Sequence, residues 1–228
     1  MMTGGLEFEI VPNVSEGREG RVVDACAAAM ERAGARVIHR TSDPHHHRSV
    51  ITAVGDRAEV LAAAVALARE ARERIDLRAH RGAHPRIGAL DVLPFVPLGT
   101  ATLDDAVLLA RSAAARIWDE LRVPSYLYGA ASTASHRTHL ADIRRGEFEG
   151  LAARLVADEG WRFDYGDAAH ATAGAIAIGA RPFLIAFNVE LASSDLALAR
   201  RIARTLRASS GGLRTLRSLG LRLDHGRV

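Results

Sequence analysis

Short apolar runs rich in β-branched residues alternate along this chain with longer stretches whose apolar residues recur at helical spacing. "LEFEIVPNV" (Leu6–Val14) has strand character and closes in a Pro-Asn turn signal. "REGRVVDACAAAMERAG" follows as a helix stopped by Gly34. "ARVIHRTS" and "RSVITAVG" (Arg48–Gly55) read as the next two strands, joined by the short loop "DPHHH". Asp56 is placed to cap a second helix, with Glu59 three residues on completing a capping-box pair, and that helix runs through "VLAAAVALAREARERI" to about Ile75. After a loop over His80–Arg86, "IGALDVLPFV" is a fourth strand.

The order strand, helix, strand, strand, helix, strand predicts an α+β fold of the ferredoxin-like βαββαβ type, its two helices on one face of the sheet. Additional elements follow: a capped helix from about Thr102, a strand "PSYLYG", helical material through "RTHLADIRRGEFEGLAARLVADEG", and a long ordered loop over Trp161–Arg181. A loop of that length inside a compact domain points to function. "PFLIAFNVEL" is expected to be another strand and "SSDLALARRIARTLRAS" an amphipathic helix. Residues 1–181 are read as one domain. The single strand and helix of 182–228 cannot bury a core by themselves, so this part docks on the first domain or opens an incomplete second αβ subdomain.

Composition adds limits. Of 228 residues, 48% are hydrophobic and 25% charged, as in ordinary globular proteins, and only 5% are aromatic, so Ala, Leu and Val must carry the packing. The net charge of +3 is spread over arginines on several helices, which suits a solvated surface or small acidic substrates better than a nucleic-acid stripe. Cys26 is the single cysteine, leaving no intramolecular disulfide and no cysteine-based metal cluster; its apolar surroundings suggest a buried helix position. The start of the chain lacks the basic and apolar regions of a leader, and no uncharged run is long enough for a bilayer, so a cytoplasmic protein without membrane association is expected.

Candidate chemistry concentrates in "HRGAHPRIGALDV" (His80–Val92), where two histidines and two arginines precede a buried strand. His84 either fills the turn before Pro85 or serves as a general base, since imidazole titrates near neutrality. Arg86 could hold a carboxylate or make an ordinary surface ion pair. "HHHR" (His45–Arg48) invites a metal reading, but adjacent residues of an extended segment point to opposite sides. His80 and His84 have zinc-helix spacing, yet Gly82 and Pro85 break the helix, so no metal site is expected. The stretch "DYGDAAHATAG" (Asp164–Gly174) offers turn-forming points, His170 and backbone amides that could bind an anion or a heteroaromatic edge.

"VPNVSEG" (Val11–Gly17), "RSVITAVG", "HRGAHPRIGALDVLPFVPL", "VPSYLYG", "IRRGEFEGL" and "GARPFLIAFNVEL", taken in this order over nearly the whole chain, resemble the successive motifs of the glutamate formiminotransferase family. The H-P-R segment is the most specific of them. The resemblance implies transfer of a formimino group from N-formimino-L-glutamate to N5 of tetrahydrofolate, which is a co-substrate, in histidine degradation. It places the catalytic general base on His84, partners for substrate carboxylates on Arg86, Arg48 and His47, and the folate-binding loop on Gly166, Asp167, Ala168, Ala169, His170, Ala171, Thr172, Ala173 and Gly174.

The chain departs from the family pattern at His47, where asparagine is frequent, at Asp167, where proline is common, and at Glu190 in place of asparagine. Family members also continue into a second αβ subdomain, with folate in the crevice between the two. A homo-oligomer, or a second polypeptide completing that subdomain, is therefore expected. A relative handling 5-formyltetrahydrofolate, and a non-catalytic folate-binding fragment, are the competing readings.

Overall fold

The computed structural model describes residues 7–185, 187 and 189–222. Two compact units divide the chain, Met1–Phe183 and Leu184–Val228. The first is built on a single seven-stranded sheet.

Strands β1 (Glu7–Ile10) and β2 (Asn13–Val14) are two pieces of one line, interrupted at Val11–Pro12, and both pair antiparallel with β4 (Arg48–Asp56) and β5 (Leu90–Leu98). Strand β3 (Arg36–Asp43) closes the edge as a hairpin with β4, in register Asp43↔Arg48. The sheet order β5, β1–β2, β4, β3 is the order of a ferredoxin-like fold, as the sequence pattern predicts. Helix α1 (Gly20–Arg32) joins β2 to β3, and helix α2 (Arg57–Arg74) joins β4 to β5. The Asp56 carboxylate accepts from the amides of Ala58 and Glu59 while Glu59 returns a bond to the Asp56 amide, so the expected capping box is present.

Beyond β5 the sheet grows by two parallel strands, β6 (Ser125–Gly129) and β7 (Ile176–Ala180), with β7 between β5 and β6. Strand β7 lies inside the stretch expected to be an irregular loop, and this expectation is corrected. "IAIGA" is buried on both faces, so it shows none of the alternation by which a half-buried strand is read.

Helix α3 (Leu103–Leu121) lies with α1 and α2 on one face of the sheet, over Phe8, Ile10, Leu93, Phe95, Ile176 and Ile178. Helices α4 (Leu140–Ile143) and α5 (Glu147–Ala157) cover the other face at the parallel end, packing Ile143 and Leu151 on Val92, Tyr126, Tyr128 and Ala177. The two helices of the βαββαβ unit share one face as expected, and the additional helices α4 and α5 cover the other face at the parallel end. Cys26 is fully buried in α1.

In the second unit, helix α6 (Leu196–Leu206) is capped by Asp195. The strand expected over 182–191 does not form among its described residues; Ala186 and Asn188, like Leu6 at the first strand and 223–228 at the chain end, lie outside them. No described strand pairs with this segment, and a strand without a ladder leaves its amides and carbonyls to water. Phe183, Leu184, Ile185, Phe187 and Val189 are each more than half exposed. Among the described residues no helix is long and apolar enough to cross a membrane.

Candidate active site

Three connections meet at one end of the sheet: the β2–α1 loop, the β3–β4 hairpin and the segment entering β5. Two glycines let their backbones touch. A Cβ on Gly17 would sit 2.3 Å from the Asp43 carbonyl oxygen, and one on Gly82 would sit 2.5 Å from that of His46. Ser15 donates its hydroxyl to the Gly88 carbonyl at 2.7 Å, joining the first connection to the third.

His47 takes a left-handed backbone (φ 51°) at the hairpin tip, and its ring stacks on that of His80 with centroids 4.1 Å apart. His80 is 4% exposed; its Nε2 donates to the His47 carbonyl at 2.9 Å and its Nδ1 accepts from Arg86 Nε at 3.1 Å. That pair of bonds fixes a neutral ring, and burial, opposed only in part by the His47 carbonyl, holds its pKa below the usual imidazole value. His47 Nε2 lies 3.1 Å from the Glu16 carboxylate and Nδ1 lies 3.2 Å from the Arg81 carbonyl. Burial raises the pKa of Glu16, but amide donation from Glu19 and Arg18 and the proximity of His47 outweigh it and hold the carboxyl low.

Arg86 was expected to meet a substrate carboxylate. It is instead engaged inside the protein, with Nη1 2.8 Å from Glu147 and Nη2 2.8 Å from Glu149 while Nε holds His80. Glu147 reaches it from a left-handed backbone (φ 54°) at the first position of α5. Arg86 thus ties the motif to α5, and its side chain is only 7% exposed.

His84 faces a different arginine. Arg48 Nη1 donates to His84 Nε2 at 2.5 Å, and His84 Nδ1 is buried without a hydrogen-bond partner among the described residues. Burial first, then the charges of Arg48 and Arg144, push the His84 pKa down to about 3. The ring is neutral at physiological pH, with its Nε2 lone pair occupied by Arg48. Asp91, 1% exposed, binds Arg144 Nη2 at 2.5 Å and Nε at 2.9 Å through one oxygen, and accepts the Ile87 amide at 2.8 Å through the other. One carboxylate therefore fixes both the backbone leaving the H-P-R triplet and the second cation beside His84. A cleft of about 420 Å³ opens against Pro85, walled by Arg144, Arg145, Gly146 and Glu147.

The stretch Gly166–Gly174 runs from the end of β6's neighbour Tyr165 into β7. Asp167, Ala168 and Ala171 are exposed, whereas Ala173 and Gly174 are buried. His170 Nδ1 accepts from the amides of Thr172 and Ala173, and its Nε2 lies 3.4 Å from Arg72 Nε, so the ring organises the loop internally. Amide–carbonyl bonds from Ala89 to Ala173 and from Ala175 to Ile87, both 2.9 Å, fasten this loop to the strand entry that follows His84.

His84, Arg48, His47 and Arg86 thus gather at one sheet end, and the Gly166–Gly174 loop is knitted to the same connection. Sequence reasoning missed Asp91, Arg144, Glu16, Glu147 and Glu149. A lone acid inside the apolar run "IGALDVLPFV" was the available signal for Asp91; the glutamates carry no local mark. Among the described residues no group of three or more His, Cys, Asp or Glu side chains is placed to share a metal ion.

A ferredoxin-like sheet with a histidine bonded to an arginine at one end defines an α+β protein with a candidate site at that end. Residues 7–181 match the formiminotransferase domain, N-terminal subdomain. The chain is 41% identical to the glutamate formimidoyltransferase of Streptococcus pyogenes serotype M1 over 95% of its own length and 73% of that protein. It is 42% identical to the glutamate formimidoyltransferase of Thermoplasma acidophilum over 92% of its length and 70% of that protein. A formimidoyltransferase-cyclodeaminase of Rattus norvegicus is 42% identical over 90% of the chain, which spans 38% of that longer protein. The chain belongs to the formiminotransferase family.

Proposed function

We infer that this chain is a glutamate formimidoyltransferase, moving the formimino group of N-formimino-L-glutamate to N5 of tetrahydrofolate and releasing glutamate. The observation that carries the reading is His84, the histidine of the H-P-R triplet, kept neutral by burial and by Arg48 and Arg144, and followed directly by Pro85, which lines a cleft with Arg144. Relatives at 41% and 42% identity that bear this name support it.

In the reaction the N5 lone pair forms a bond to the formimino carbon and the C=N electrons move to its nitrogen. His84 Nε2 takes the N5 proton. As the adduct collapses, the bond from carbon to the glutamate nitrogen breaks, and the imidazolium returns the proton to that nitrogen. A neutral imidazole can play both parts; an imidazolium could not begin the sequence. Arg48 holds a carboxylate of the glutamate donor, and His47 and Arg86 shape the wall on which it lies. Arg86, saturated by Glu147 and Glu149, acts by positioning.

The exposed residues of Gly166–Gly174 line the folate side. Residues 182–228 are the opening of the second αβ subdomain, and the exposed side chains of Phe183, Leu184, Ile185, Phe187 and Val189 are surface that a second copy or further polypeptide covers.

The test is direct: the purified chain is incubated with formiminoglutamate and tetrahydrofolate, and glutamate and the 5-formimino product are measured by mass spectrometry. Products that form equally with His84→Ala, or no product even with the remaining subdomain supplied as a second polypeptide, would remove the reading.

A further inference from the structure

Three buried or half-buried arginines of the first unit are ion-paired with carboxylates, and four, Arg48, Arg72, Arg154 and Arg181, have no carboxylate pair among the described residues. Arg86 has Glu147 and Glu149, Arg137 has Asp164, and Arg144 has Asp91. Arg154 has three backbone carbonyls, of Asp142, Ile143 and Arg145, beneath the rings of Trp161 and Tyr126. Arg48 has no carboxylate within ion-pair distance among the described residues; Asp91 and Asp43 act on its charge from farther away. Its one side-chain hydrogen bond goes to the imidazole of His84. A partly desolvated guanidinium spent on a neutral nitrogen base is under-compensated, because a carboxylate matches its fork with two charge-assisted bonds and a ring nitrogen accepts one.

We propose that the carboxylate of the bound donor is what turns His84 into a base, by taking Arg48 away from Nε2. This rests on the function inferred above and adds a coupling to it. Without donor, the lone pair that must accept the N5 proton is engaged by Arg48. When a donor carboxylate occupies the guanidinium fork, that bond is released, Nε2 is free, and the positive potential at the ring falls. The other charges facing His84 do not change with the donor: Arg144 stays balanced by Asp91, and His46, its ring centroid 6.2 Å from that of His84, is held by Asp43 at 2.6 Å. The base is thus unmasked only with the acidic donor in place. A formamidine lacking carboxylates would suffer in kcat as well as in KM, since it leaves His84 capped.

The coupling is read on the full chain labelled with ¹⁵N-histidine, His84 being assigned by its loss in His84→Gln. The ring is titrated from about pH 8 to about pH 5, with and without saturating glutarate as a stand-in for the donor's two carboxylates. The expected result is a ring that stays neutral without ligand and, with glutarate, a protonated fraction at the acid end at least about tenfold higher, one unit of pKa or more. In Arg48→Met the free ring is already more basic and glutarate no longer moves it. A wild-type His84 that ignores glutarate, or one that responds equally in Arg48→Met, overturns the proposal, and the wild-type titration decides alone should the variant not fold. Formimino turnover by the same preparation is scored separately. A chain that turns over while His84 stays unresponsive loses only the coupling.

Discussion

The rings of His47 and His80 lie face to face, 4.1 Å between centroids and 4° from parallel, with the His80 ring also bonded to the His47 carbonyl. Two connections of the sheet are locked by this one contact, and Arg86 extends the lock to α5. His80 is therefore a positioning residue. His80→Ala is expected to cost on the order of 2 kcal/mol by opening a buried hydrogen-bonded site and leaving Arg86 Nε without its acceptor. Urea unfolding measures this, and kcat should fall less than in the His84 variant.

His84→Ala removes the proton acceptor and leaves that lock untouched. Turnover should fall by about 10²–10⁴, with the unfolding midpoint close to wild type. Steady-state kinetics on both donor and folate check it, and a near-normal kcat would take the role away from His84.

Asp91→Asn keeps the shape of the side chain but strips Arg144 of its buried counter-ion. Removing one member of such a pair costs about 3 kcal/mol. Thermal melting should show the loss, and Asp91→Asn combined with Arg144→Met should recover part of it.

Acid should loosen this end of the sheet in two stages. His80 and His84 have native pKa values below their unfolded value, so the unfolded chain takes up protons that the native state refuses, and stability falls as pH drops below about 6.5. Glu149, whose pKa is lowered chiefly by its hydrogen bond to Arg86, and Glu16 contribute stability present above the unfolded carboxylate range and lost as pH falls through their native values. Urea midpoints measured downward from pH 8 should decline in that order. His84→Gln should flatten the first stage; an unchanged slope would contradict it.

The exposed side chains of Phe183, Leu184, Ile185, Phe187 and Val189 should make the chain self-associate when it is alone. Sedimentation velocity is expected to show species heavier than one chain, and Ile185→Asp with Phe187→Asp should shift them toward the monomer.

Much of this was legible from the order of residues. The β-branched run "RSVITAVG" marked β4, the Asp56–Glu59 pair marked the start of α2, and the H-P-R triplet placed His84. Strand β7 escaped because both of its faces are buried, which erases periodicity. The second arginine beside His84 escaped for another reason. Arg144 lies in a run of charged residues, and only the fold of the Arg144–Glu147 turn onto Asp91 separates it from the solvated Arg145. Arg86 was legible as important but not as saturated, since its partners come from 61 and 63 residues further along the chain.

The place of β7 also sets a timetable for synthesis. Strands β1 to β5 are complete once Leu98 has left the ribosome, and their order lets them close into a sheet at once. Strand β6 is made soon afterwards yet has nothing to join, because its neighbour in the sheet is β7 and not β5. Until Ile176–Ala180 arrives and wedges between them, the β5 edge and the Tyr126 and Tyr128 side chains wait exposed, along with the loop that fastens to the strand entry behind His84. The nascent chain therefore holds its ferredoxin-like half early and the Gly166–Gly174 loop with β7 last, and a pause in translation between β6 and β7 would be the one most prone to misassembly.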